Sequence, residues 1–133
     1  MARQGKKHPI EVTTTGAPRP IGAYSQGLVA AGLVFTAGEG PNDPVTGRTP
    51  RGIGAQTLQA ILNTKAVLEA AGSGLEYVVK VTAHLADLTD FDAFNAAYAP
   101  YFPDPKPVRT TVGSDLLGGI LVELDTIAVL PGD

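Results

Sequence analysis

Arg109 lies in the middle of the run Pro107-Val108-Arg109-Thr110-Thr111-Val112. A guanidinium stays charged at any relevant pH, and burying it among β-branched residues without an anion is costly. Two partners satisfy that demand: a structural carboxylate, with Glu123 and Asp125 as the candidates, or the carboxylate of a bound ligand. Glu123 and Asp125 alternate with Leu124, so on a strand both point to one face. Two acids on an otherwise apolar strand are either an ion pair or solvent edge, or a carboxylate that positions or deprotonates a water molecule. Tyr24, in Ile21-Gly22-Ala23-Tyr24-Ser25-Gln26, taken alone reads as a core aromatic. Asn95 reads as an amide satisfying backbone groups in a helix. The two histidines, His8 and His84, are far apart, so a histidine metal site would need carboxylates from elsewhere. His84 reads as a strand residue on a polar face.

Several common chemistries find no support. The chain contains no G-x-x-x-x-G-K-[ST] loop, no G-x-G-x-x-G turn, no H-E-x-x-H helix and no G-x-S-x-G elbow. It has no cysteine, which removes thiol nucleophiles, disulfides and thiolate metal ligands. A net charge of -3 argues against a nucleic-acid footprint, the basic start Arg3, Lys6, Lys7 reading as a solvated terminus. No apolar run approaches the ~20 residues of a bilayer span, and no signal-peptide h-region follows the basic start. The expectation is a cytoplasmic protein with no membrane partner.

These residues must be positioned by a single domain over 1–133, since 133 residues fit one core, with 1–8 as a flexible extension. Ile10 and Val12 suggest a first strand within Lys7 to Val12; Thr13 to Gly22, with Pro18 and Pro20, is a loop. Gly27 to Ala31 and Leu33 to Gly38 form a hairpin turning at Gly32, followed by an exposed Pro/Gly/Asp loop over Glu39 to Gly52 that turns at Asp43 to Gly47. Ile53 to Ala71 is helical, with Leu58, Ile61, Leu62 and Leu68 on one side, Lys65 interrupting, and Gly72 as the stop. Val78 to Leu85 alternates, placing Val79, Val81, Ala83 and Leu85 on one face and Val78, Lys80, Thr82 and His84 on the other. A second helix opens at Thr89 with Asp92 as its acidic partner, carries Phe91, Phe94, Tyr98 and Tyr101, and ends at the prolines 103, 105 and 107. Strands over Pro107 to Val112 and Ile120 to Val129 close the chain. The order β-β-β-α-β-α-β-β fits an α+β sheet with both helices on one face. Apolar residues at both parities, as in Ile120, Leu121, Val122 and Leu124, predict that the second face is also buried, most simply by self-association.

Five blocks in register resemble the Rid (YjgF) family of imine and enamine deaminases: Ile21 to Gln26; Phe35-Thr36-Ala37-Gly38; Asp87-Leu88-Thr89-Asp90-Phe91 leading to Asn95 and Tyr98; Pro107 to Val112; and Glu123 to Val129. They span about Ala17 to Leu130. The resemblance implies a chorismate-mutase-like α+β fold, a mixed sheet with two helices on one face, assembled as a homotrimer with sites between subunits. It implies hydrolysis of short-lived 2-imino acids, such as 2-iminobutanoate and 2-iminopropanoate, to 2-oxo acids and ammonia, with no cofactor and no metal. On the matching positions, Arg109 would grip the substrate carboxylate, helped by the Gly38 N–H. The main-chain carbonyl of Thr111 and the acid Glu123 would hold the attacking water. Tyr24 and Asn95 would line the substrate cleft. The chain departs from the family's frequent Thr-Ser-Gly-Gln at Thr36-Ala37-Gly38-Glu39. An acid at Glu39 would repel an anionic substrate unless it is paired or turned away. A small-carboxylate binder or regulator without turnover is therefore the alternative to an enzyme, and the ribonuclease activity suggested for some relatives fits the acidic charge poorly.

Overall fold

A computed structural model describes residues 8–132. The basic cluster Arg3, Lys6, Lys7 and most of the expected 1–8 extension lie outside them. The chain forms β1 (Ile10–Val12), β2 (Gly27–Ala30), β3 (Leu33–Thr36), α1 (Ile53–Ala70), β4 (Val78–Leu85), α2 (Phe91–Tyr98), β5 (Val108–Gly113) and β6 (Val122–Val129), the order read from the sequence. The six strands make one sheet in the order β1-β2-β3-β6-β4-β5. Only β4 and β5 pair in parallel, across α2; the other neighbours are antiparallel. The β2–β3 hairpin turns on Ala31 (φ 54°) and Gly32 (φ 77°). Positive φ at both central residues matches the right-handed twist of the strands, which is why a glycine serves here.

Both helices cover one face of the sheet. Val34, Val81, Ala83, Leu85, Val122, Leu124 and Ala128 meet Ala60, Ile61 and Leu68 of α1 and Phe94 and Tyr98 of α2 in one core. On α2 the aromatic spacing continues past the helix, with Tyr98 stacked on Phe102 at 4.4 Å and Phe94 5.4 Å from Tyr98. Phe91 and Tyr101, expected in the same stripe, are about two-fifths exposed. The opposite face carries Lys80, Thr82, His84, Glu123 and Asp125 beside Phe35, Ile127 and Val129, and no element of the described chain covers it.

Four local expectations are corrected. Val78, not Val79, is buried, because a register shift between Val78 and Lys80 reverses the alternation at the start of β4. Leu62 is exposed; α1 instead buries polar Gln56, Thr57, Asn63 and Thr64 beside Ile61, Val67 and Leu68. α2 begins at Phe91 rather than Thr89, and the capping side chain is Asp87, which accepts from the Thr89 N–H ahead of a short 3-10 turn. The segment after β3 is not exposed throughout, since Glu39 is only 5% exposed. Gly72 does stop α1. With φ 90° it lets the N–H groups of Gly72 and Ser73 reach back to the Glu69 and Leu68 carbonyls.

Candidate active site

A cleft of about 640 Å³ opens beside the ends of β3 and β6, and Tyr24, Gly38, Glu39, Asp43, Ile120 and Glu123 contribute to its wall. Tyr24 is half exposed rather than a core residue, and its hydroxyl accepts from the Ile21 N–H at 3.1 Å. The proline-rich segment that carries it is anchored by Gln26, buried at the start of β2. The Gln26 amide donates to the carbonyls of Thr14, Ala17 and Pro18, and its oxygen accepts from the Thr14 N–H at 2.8 Å. A proline-rich loop has few backbone donors with which to hold itself, so one side-chain amide supplies the fastening.

The opposite wall is formed where β3 runs on beyond Thr36. Glu39 makes an isolated bridge to Leu124, its N–H donating to the Leu124 carbonyl at 2.7 Å and its carbonyl accepting in return at 3.1 Å. This draws Gly38 against Glu123: a Cβ at Gly38 would overlap the Glu123 carboxylate, so only glycine leaves that acid its place. Glu39 has no hydrogen-bond partner or cation for its carboxyl among the described residues, the single ion pair there being His84 with Asp125. Burial, and secondarily the charge of Glu123, push the Glu39 carboxyl up from 4.5 to about 8.

The loops rimming the cleft hang on the polar stripe of α1. Fully buried Asn63 donates to the carbonyls of Gly40 and Asn42 at 2.9 and 2.8 Å, and its own oxygen accepts from Gln59. Gln56 donates to the Pro50 carbonyl and accepts from the Leu121 N–H. Sequence reasoning missed Gln26, Gln56 and Asn63. The signal available was the polar series 56, 59, 63 at helical spacing within an otherwise apolar helix.

The remaining expected residues stand elsewhere. Arg109 and Thr111 on β5 pair with Val81 and Ala83 of β4, so they share the helix-covered face. The Arg109 guanidinium lies 4.8 Å from the Tyr98 ring centroid, 5.4 Å from Phe94 and 5.6 Å from Phe91, within cation–π range of each. Within one chain Arg109 forms no salt bridge to Glu123 or Asp125, since both acids occupy the other face. Burial pushes the Tyr98 phenol above its ordinary value and so keeps its proton on, opposed by the adjacent Arg109 guanidinium, and among the described residues no group meets hydrogen-bond geometry at its hydroxyl. Asn95, on α2, and Thr111 do not line the cleft.

Asp125 is engaged by His84, whose Nε2 lies 2.9 Å from Oδ2 while Nδ1 lies 3.0 Å from the Ser114 hydroxyl. Serine, histidine and acid in that order could activate a nucleophile. Here, however, the Ser114 N–H, a natural oxyanion donor, is spent on the Leu85 carbonyl, and none of the three lines the cleft. The arrangement fastens the end of β5 to β6 across β4.

Among the described residues, no helix is long and apolar enough to cross a membrane. What the fold and site define is a small α+β domain with a carboxyl-walled cleft over the β3–β6 pair and, on the far edge strand, an arginine that among the described residues has rings but no anion. Residues 14–130 match the family model described as Endoribonuclease L-PSP. The chain is 46% identical over 119 residues to a RutC family protein of Pyrococcus horikoshii, covering 88% of this chain and 94% of the relative. It is 36% identical over 122 residues to the 2-iminobutanoate/2-iminopropanoate deaminase of Escherichia coli, covering 89% and 95%. The crystal structure of the Escherichia coli YjgF gene product superposes with a TM-score of 0.88 at 35% identity, covering 92% of this chain and 99% of that one. The chain belongs to the Rid (YjgF/RidA) family.

Proposed function

We propose that this protein is a cofactor-free hydrolytic deaminase that converts short-lived 2-imino acids and their enamine tautomers to 2-oxo acids and ammonia, acting as a homotrimer with its sites between subunits. The observation that carries this reading is the division of the site: Glu123 stands against Gly38 in a cleft, while Arg109 waits without an anion on the far edge strand. One chain holds two halves that face apart, and a neighbouring copy is the simplest source of the complementary half. The 36% identity to a relative named for 2-iminobutanoate and 2-iminopropanoate supports the substrate class.

In this reading Arg109 forks the substrate carboxylate and the Gly38 N–H adds a donor. Glu123 and the Thr111 carbonyl orient a water toward the imine carbon, and Tyr24 and Asn95 border the bound substrate. An imine is already electrophilic, so fixing the water and the carbon in register supplies much of the acceleration. Glu123 takes a proton from the attacking water and returns it to the imine nitrogen, and the carbinolamine O–H proton then passes to that nitrogen as the C–N bond breaks, leaving ketone and ammonia. The test generates 2-iminobutanoate with a threonine dehydratase and follows 2-oxobutanoate while semicarbazide competes for the imine. Absence of acceleration, or acceleration undiminished by Arg109→Ala, would sink the proposal.

The second reading, a small-carboxylate binder without turnover, is favoured by the acid Glu39 in the cleft wall. Calorimetry with 2-oxobutanoate beside the imine assay separates the two, since binding without acceleration supports this one. RNA as a substrate is the less favoured reading at a net charge of -3. Cleavage that vanishes on further purification disposes of it.

A further inference from the structure

Glu39 is the buried acid of the cleft wall, and the proposed reaction does not use it. It is 95% buried by its 5% exposure, its backbone is locked to Leu124 on both sides, and it borders the same cavity as Glu123. Its carboxyl meets no hydrogen-bond donor and no cation among the described residues. The charged and titratable groups around that cavity are Glu123 from β6, Tyr24 and Arg19 from the segment before β2, and Asp43 from the loop after Gly40. Arg19 forms no ion pair with Glu39. The proposed reaction adds the Arg109 of a neighbouring copy, whose charge the bound carboxylate meets. An ionised carboxylate in this position would be a buried negative charge beside the partly buried Glu123, in a cleft whose proposed ligand is itself an anion.

We propose that Glu39 enters the cleft as a neutral carboxylic acid, a hydrogen-bond donor that an anionic ligand can accept, and that its ionisation closes the cleft to carboxylates. This inference rests on the reading of the cleft as a carboxylate site. A neutral carboxylic acid has the shape of a carboxamide and, like one, offers a donor and an acceptor. The acid at this position is therefore compatible with the same ligand while its proton is in place. Losing the proton converts a donor into a charge that repels the ligand. Ordinary burial of this side chain and the field of Glu123 both favour the proton-bearing form at neutral pH, in agreement with the upward shift described above.

The experiment measures the Kd of 2-oxobutanoate by calorimetry from about pH 6.5 to about pH 9.5, on the wild-type protein and on Glu39→Gln, which keeps the shape and the donor and cannot ionise. Since apparent affinity falls with the fraction of protein in the competent form, the wild-type Kd is expected to rise roughly 30-fold across that range. The Glu39→Gln protein is expected to change less than about threefold and to match the wild type at the acidic end. A wild-type Kd that is flat with pH, or the same rise in both proteins, overturns the inference. Failure of both proteins to bind at the acidic end overturns it too, and that outcome marks the carboxylate reading itself as the point of failure. A pure structural role for Glu39 would lower affinity in the variant without altering its pH dependence.

Discussion

Arg109 and Glu123 stand on opposite faces of the same sheet. Glu123 pairs with His84 on the open face, whereas Arg109 pairs with Val81 on the helix-covered face, two strands away. Strand spacing and rise put their backbones more than ~10 Å apart even before the opposite directions of their side chains are counted. No rotamer of one chain unites them on a small imino acid, so the proposed reaction calls for the complementary group from a second copy.

Mixed assemblies test that directly. Arg109→Ala and Glu123→Gln are each expected to lower kcat/KM by about 100-fold or more, since each removes a charged group from the reacting centre. Co-expressed in equal amounts, the two proteins should regain about a quarter of wild-type activity, because random cyclic assembly gives that share of sites an intact half from each partner. Activity no higher than that of either variant alone would refute the divided site.

Gly38→Ala probes the closest approach in the cleft. The added methyl overlaps the Glu123 carboxylate and must displace it, so kcat should fall about tenfold or more by misplacing the water. Gly38 is exposed and outside the core cluster, so the thermal midpoint should move little. An unchanged kcat would separate Glu123 from the chemistry.

Glu39 also makes stability depend on pH. In the unfolded chain it ionises near 4.5 and in the folded protein near 8, so across that window the folded state keeps a proton that the unfolded state has lost. Its contribution is whole below pH 4.5, declines as pH rises towards 8, and is constant above. The stability of Glu39→Gln relative to wild type should therefore grow by about 3 kcal/mol between pH 4.5 and 7, at 1.36 kcal/mol per unit. Urea unfolding at several pH values reads this, and a constant difference would show that Glu39 ionises normally.

Asn63→Ala would leave the buried carbonyls of Gly40 and Asn42 without their donor. A loss of about 2–3 kcal/mol in unfolding free energy is expected, together with a weaker hold on ligand as the cleft rim loosens. Leu62→Ala, on the exposed side of α1, serves as the control and should cost under about 1 kcal/mol. Equal effects from the two would remove the case for Asn63 as the anchor of the rim.

Much of the fold was legible because period and punctuation are local properties. Alternation marked β4, Gly32 and Gly72 marked the hairpin and the end of α1, and the aromatic spacing marked α2. The errors arose where a distant partner overrides the local pattern. Leu62 looks like a core residue only until Asn63, one position on, is given the carbonyls of Gly40 and Asn42 to hold. Val79 follows the expected parity only if β4 pairs with β6 without a bulge. Tyr24 and Glu39 could not be sorted into wall, core or loop without the surfaces they meet.

Residue types alone determined that Arg109 needs an anion, that Glu123 and Asp125 share a face, and that the chain has the element order of its family, because charge, strand parity and turn chemistry act over a few residues. The tertiary structure decided which face each group serves. It gave Asp125 to His84, left Arg109 against three aromatic rings, set Glu123 against Gly38, and buried Glu39 without a partner among the described residues. Those outcomes depend on strand order and register, which bring together residues tens of positions apart and set the solvation that fixes each group's charge.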